Sequence, residues 1–243
     1  FQANIGDRQV FRNGAIRPDK QVDPSAHFFQ AVLVDKNGKR IARRNAADIY
    51  TTVYANVIRP SASDIARYRF RVPKDANGKE IKFIADLNWR KFNRTFTEFV
   101  FEGKEVPDLP VTRIAGDTIT LKISSTPEKT GAAAHAADDW QRYNDYGIGL
   151  FFDDDFRGAL RMFEKVSEIK PKQFDGWLNQ ARTQLEVGSL EKADAMLRKA
   201  SETAQNQPRI AFFWGVLLEK SGRFEDSVNA YRRVLQEYPD SRD

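Results

Sequence analysis

The chain has 243 residues, 41% hydrophobic and 30% charged, with a formal net charge of +5. That length allows two domains with separate cores, and the composition excludes a disordered chain. The absence of cysteine excludes disulfides, zinc–thiolate sites, iron–sulfur clusters and covalent c-type haem attachment within these residues. No apolar run approaches the roughly 18–20 residues of a membrane-spanning helix. Charge is uneven: residues 1–130 carry 23 Lys+Arg against 15 Asp+Glu, and the remainder carries 16 against 19. A basic half joined to a mildly acidic one implies two domains with different partners.

In chain order, the opening residues already read as a strand. The chain begins at Phe1 rather than Met, which leads to the expectation of a piece cut from a longer or processed protein. "HFFQAVLVD" (27–35) and "RIARR" (40–44) flank an Asn-Gly turn and predict a hairpin. "TTVYANVI" (51–58) is β-branched and aromatic. "IARYRFRVP" (65–73) alternates, with Tyr68, Phe70 and Val72 on one side and Arg67, Arg69 and Arg71 on the other. "IKFIADLNWRKF" (81–92), "RTFTEFVF" (94–101) and "DTITLKI" (117–123) complete about seven short strands. With no helical stretch among them, residues 1–123 predict an antiparallel β-sandwich whose first strands lie upstream. Residues 124–138, small and polar, read as a linker.

The arginine row at 67, 69 and 71 reads as a solvated, charge-protected sheet face. A nucleic-acid stripe is disfavoured, because the aromatics that would stack on bases lie on the opposite side. Only two histidines occur, His27 and His135, far apart in sequence. His135 falls in the linker. His27 opens a strand and reads as a structural residue, with ligation of a metal as the sharper alternative. Asp153, Asp154 and Asp155 lack the alternating spacing of a calcium loop and read as a solvated acidic turn. There is no Gly-rich phosphate loop and no nucleophile elbow. No metal site and no catalytic constellation is recognisable, and whether the whole protein is an enzyme stays open.

From residue 139 the pattern changes to a period of 34. Gly147, Ala181 and Gly215 align, as do Ala159, Ala193 and Ser227, and Phe163, Leu197 and Tyr231. Pro171 and Pro239 lie two periods apart, with Gln205 between them. Small residues where two helices cross, a large one filling the space between them, and a proline after the second helix resemble the tetratricopeptide repeat. The fold class expected is therefore a β-sandwich followed by a tetratricopeptide-repeat helical solenoid over 139–243, with repeats at 140–173, 174–207 and 208–241. Trp140, Trp177 and Trp214 fall at positions 1, 4 and 7 of successive repeats. They drift around the first helix and read as packing residues, not a binding ladder. The resemblance implies a concave groove lined by the first helix of each pair. Its positions here are Gln141, Asn144, Ile148 and Phe152, then Asp175, Leu178, Arg182 and Glu186, then Arg209, Phe212, Val216 and Lys220. The family's clamp of Lys and Asn side chains on a terminal carboxylate is absent, because the two key positions of the first repeat carry Asn144 and Ile148. What remains suits a peptide or a domain surface of a protein partner. The competing expectation is that these residues only pack against a neighbouring repeat or the N-terminal domain.

A second resemblance covers most of 20–170. "VDPSAHFFQAVLVDKNGKRIARRNAADIYTTVYANVIRP", "YRFRVP", "LNWRKFNRTFTEFVF", "DLPVT" and "DWQRYNDYGIGL" occur co-linearly. Together they resemble the region that follows the haem-bearing part of large bacterial multihaem c-type cytochromes. That resemblance implies an interaction and assembly module for electron transfer, located outside the cytoplasm in the periplasm or at the cell surface. Haem c would then be held on an upstream region, which would itself be a partner. His27 would be at most a non-covalent axial ligand. The alternative is a free-standing tetratricopeptide adaptor with no haem. No nucleic-acid partner and no membrane span is expected.

Overall fold

Strand pairing in the N-terminal region is antiparallel throughout, but it builds one sheet and a separate ribbon. The computed structural model describes residues 1–43, 45–58, 60, 62–125 and 139–239. β1 (Gln2–Ile5) and β2 (Arg8–Arg12) form a hairpin. β1 also pairs with β5 (Glu80–Trp89), and β5 pairs along its length with β6 (Thr112–Lys122). The sheet order is β2-β1-β5-β6. Among the described strands, β3 (Gln30–Val34) pairs only with β4 (Thr51–Asn56). The described strands do not make up the expected sandwich.

Three predicted strands turn out differently. Residues 94–101, β-branched and aromatic, form the helix α1 (Arg94–Phe101). Local capping outweighs β-propensity there. The Asn93 side chain accepts a hydrogen bond from the Phe96 amide at 2.8 Å, and Arg94 reaches Glu98 one turn on at 2.9 Å. Residues 65–73 alternate as expected through Phe70, with Val72 exposed beyond it, yet they belong to none of the described strands. Their inward side chains dock by ring contact instead. Tyr68 stacks on Phe1 at 4.6 Å between centroids, and Phe70 stacks on Phe11 at 5.1 Å. Arg67, Arg69 and Arg71 are exposed on the other side. After the Asn-Gly turn, the chain holds β3 through one bridge, Val34 to Arg40, before leaving it. The long partner of β3 is β4, which comes well after that turn in sequence.

The C-terminal region is three helical hairpins: α2 (Trp140–Phe152) with α3 (Phe156–Ile169), α4 (Phe174–Glu186) with α5 (Leu190–Thr203), and α6 (Pro208–Lys220) with α7 (Phe224–Glu237). Each hairpin starts one repeat period after the last. Side-chain caps open the first pair: Asp139 accepts from the Arg142 amide and Asp155 from the Gly158 amide. Each intra-hairpin turn passes through a left-handed residue. Gly188 (φ +77°) and Gly222 (φ +76°) fill it in the second and third hairpins, and Asp154 (φ +60°) fills it in the first.

Helix crossings follow a size rule. A Cβ on Gly147 would lie 2.5 Å from the Phe163 ring, and one on Gly215 would run into the Tyr231 ring. The middle hairpin carries the smaller Leu197, and there Ala181 fits, with both side chains fully buried. Leu178, Leu185, Ala193, Ala200, Ile210 and Leu217 extend this core from hairpin to hairpin.

The described residues separate into two compact units. One comprises 1–57 and 66–125. The other comprises α2 to α7 together with the short segment 58–65. The expected linker falls almost entirely outside the described residues, as does His135. No described helix is long and apolar enough to cross a membrane.

Candidate partner-binding groove

The first helices α2, α4 and α6 lie side by side and carry the predicted groove positions. Asn179 of α4 donates its side-chain amide to the Asn144 Oδ1 of α2 at 2.8 Å. Arg209 of α6 donates to the Asp175 carboxylate of α4 at 3.1 Å, and Gln173 also donates to that carboxylate. These two pairs tie the three helices together across one strip. With Trp140, Gln141 and Ile148 they line a cleft of about 490 Å³.

Next along α4, the Arg182 guanidinium lies 4.1 Å from the centroid of Phe151 and 5.3 Å from that of Phe152. Burial, and then the positive charge of Arg209, push its pKa below the usual guanidinium range. Such a cation is held by ring faces in place of water. The groove thus presents side-chain amides, the Arg182 guanidinium beside the Arg209–Asp175 ion pair, and apolar surface. Phe152 and Phe212 are 44% and 39% exposed, enough for a partner to cover. Gln141 and Lys220 are exposed, and Val216 is half-buried against the core.

Leu178 corrects the expected set, because it has no exposed surface and lies in the inter-repeat core. The middle hairpin has a neighbour on both sides, so its apolar position 5 is enclosed. Asn179, one residue on, carries the groove hydrogen bond in its place. The asparagine pair was legible only as two amides whose spacing is one more than the repeat period. Trp177 and Trp214 pack against the core and donate to the Pro171 carbonyl and the Ser201 hydroxyl. Trp140 instead lines the cleft.

His27 lies in the other unit. Its Nε2 is 3.3 Å from the side-chain amide nitrogen of Asn56, and its ring meets Phe29 edge-on at 5.1 Å. An amide donating to Nε2 occupies the lone pair an iron would need. With no cysteine for thioether bonds, this chain has no residue that could attach haem c covalently. Of the acidic turn, Asp155 caps α3 and Asp154 makes the left-handed turn. No group of three or more metal-ligating side chains occurs among the described residues.

The tetratricopeptide repeat family model matches residues 151–211. Together with three hairpins at the repeat spacing, this makes the C-terminal helices tetratricopeptide repeats. No curated protein matches the chain. Among solved structures, a MamA protein is similar at 16% identity over 42% of this chain, with a TM-score of 0.38. The chain spans 56% of its length. The tetratricopeptide domain of Arabidopsis OM64 is similar at 14% identity, covering 44% of this chain and 88% of the domain, with a TM-score of 0.40. The TPR2B domain of yeast Sti1, solved in a complex named for pHsp70, is similar at 16% identity, covering 40% and 78%, with a TM-score of 0.38.

Proposed function

We propose that this chain is a docking module whose three tetratricopeptide repeats hold an extended segment of a partner protein in the groove of α2, α4 and α6. One observation carries the reading: the Asn144–Asn179 and Asp175–Arg209 pairs line one cleft along the first helices. Repeats of this kind stack first helices into a continuous concave surface, which suits a chain segment better than a small ligand. The amides take the partner's main chain, Arg182 and Arg209 take an acidic side chain, and Phe152 and Phe212 take an apolar one. A photo-crosslinking residue placed at Gln141 or Phe212 tests this in the native host. The expected result is a discrete adduct from both positions that is lost in Arg209→Ala. Equal adducts from a control at the outward-facing Lys192, or adducts indifferent to Arg209, would refute the groove.

The finer reading is that the module serves assembly of a multihaem c-type cytochrome outside the cytoplasm, with haem c on an upstream region that is one of its partners. Its support is the co-linear resemblance over 20–170. No cysteine is present to attach haem c, so on this reading the haem and its redox chemistry belong to that upstream region. Intact mass and visible absorption of the protein from its native source test it. A mass well above 27.8 kDa with a haem Soret band is expected. A colourless protein near that mass would leave a free-standing adaptor, with the groove reading intact.

A further inference from the structure

Successive repeats seal against each other through one register of the first helix. In α4, Gly176 approaches Val166 and Ser167 of α3 so closely that a Cβ would meet the serine Oγ at 2.6 Å. One turn on, Gln180 donates to the Ser167 Oγ at 2.8 Å, and one turn further Thr183 is fully buried. In α6 the same positions are Ile210, Trp214 and Leu217. Ile210 and Leu217 are buried, and Trp214 donates to the Ser201 Oγ of α5 at 3.1 Å. Ser167 and Ser201 are themselves one repeat period apart.

In α2 this register is Arg142, Tyr146 and Gly149, and no repeat precedes it among the described residues. Arg142 is exposed and Tyr146 is 48% exposed, yet Gly149 is buried. What covers it is the segment around Ser63 and Ile65. A Cβ on Gly149 would lie 2.7 Å from the Ile65 Cγ1. Ile65 packs on the cluster of Leu150, Phe151, Ala159 and Phe163. The Ser63 hydroxyl donates to the main-chain carbonyl of Asp145, so a serine again meets the first helix at this face. Ala62 and Ser63 also border the cleft that holds Asn144.

We propose that Ala62–Ile65 is the N-terminal cap of the solenoid, an extended strap standing where the second helix of a preceding repeat would stand. The terminal units of a solenoid need such closure, because an inner face left open exposes apolar core. The strap also explains why α2 carries glycine where the later repeats carry Thr183 and Leu217: the Ile65 side chain fills the space that a Cβ would need.

Amide hydrogen exchange on the full chain tests the cap. In Ile65→Ala, exchange across α2 and α3 is expected to quicken roughly tenfold, with α6 and α7 unchanged. A second comparison reads the contact itself. Gly149→Ala alone is expected to loosen α2, because the new methyl displaces the strap. In an Ile65→Gly background the same change is expected to slow exchange of α2 roughly fivefold, since alanine is the better helix former. Unchanged α2 exchange in Ile65→Ala, an equal loss of protection in all six helices, or the same sign for Gly149→Ala in both backgrounds would overturn the proposal.

Discussion

The helices and the sheet region reach stability by different routes. Among the described residues the helical unit buries thirteen apolar side chains, from Leu150 to Leu217, whereas the sheet region buries Ala3, Ala76 and Ile81. The second and third helical hairpins each bury an inner face on the hairpin before, so one repeated pattern fills a continuous core. The sheet region has a cluster of half-buried rings around Phe1, Phe11, Tyr68, Phe70 and Phe83 on one side. Its edge strand β6 is exposed at every position, with Ile114 at 60% and Leu121 at 42%. A repeat architecture completes its core from local sequence. A sheet needs a second layer from elsewhere in the chain or from a partner, and among the described residues this sheet shows a face without one.

The sharpest way to break this contrast is to empty the helical core. Phe163→Ala is expected to cost about 3–5 kcal/mol in denaturant unfolding. The equivalent truncation on β6, Ile114→Ala, is expected to stay within about 0.5 kcal/mol. A cost for Ile114→Ala above about 2 kcal/mol, the range of a buried aliphatic truncation, would mean that β6 is covered in solution. The size rule at the crossings comes next. Gly147→Ala is expected to cost about 1–3 kcal/mol, because the new methyl would run into the buried Phe163 ring. In a Phe163→Leu background, which copies the Ala181–Leu197 crossing, the added cost of Gly147→Ala should vanish; additive costs in the double mutant would remove the rule.

The groove pairs are expected to matter less for folding. Arg209→Ala should destabilise by under about 1 kcal/mol, since Arg209 and Asp175 are partly open to solvent, at 35% and 17% side-chain exposure. A loss above about 2 kcal/mol by thermal unfolding would mean that holding the hairpins together is the main role of that pair. The smallest effect has the opposite sign. Asp154→Gly places glycine at the left-handed turn position that Gly188 and Gly222 occupy, and should stabilise by up to about 1 kcal/mol in thermal unfolding.

Legibility followed the same divide. The period of 34 located the hairpins because small and large residues must coincide wherever two helices cross, and that coincidence is written at fixed spacing. Most groove positions follow from the period as well. Leu178 did not, because whether position 5 faces the groove or the core depends on how many neighbours enclose it. In the sheet region, alternation correctly separated Tyr68 and Phe70 from the arginines. It was silent on which segments would hydrogen-bond, and residues 65–73 pair with none of the described strands. At 94–101 the side chains favour a strand, but an asparagine just before them caps a helix by accepting from the Phe96 amide, and Arg94 reaches Glu98 one turn on.

The amino-acid sequence alone determined the solenoid, its hairpin length and the polar and aromatic content of its groove, because each repeat carries its own packing instructions within a single period. Only the tertiary structure decided how the solenoid begins. Nothing within the repeats names Ile65 as the neighbour of Gly149. That contact joins residues far apart in sequence, and it covers in α2 the face that α4 and α6 bury against a preceding helix.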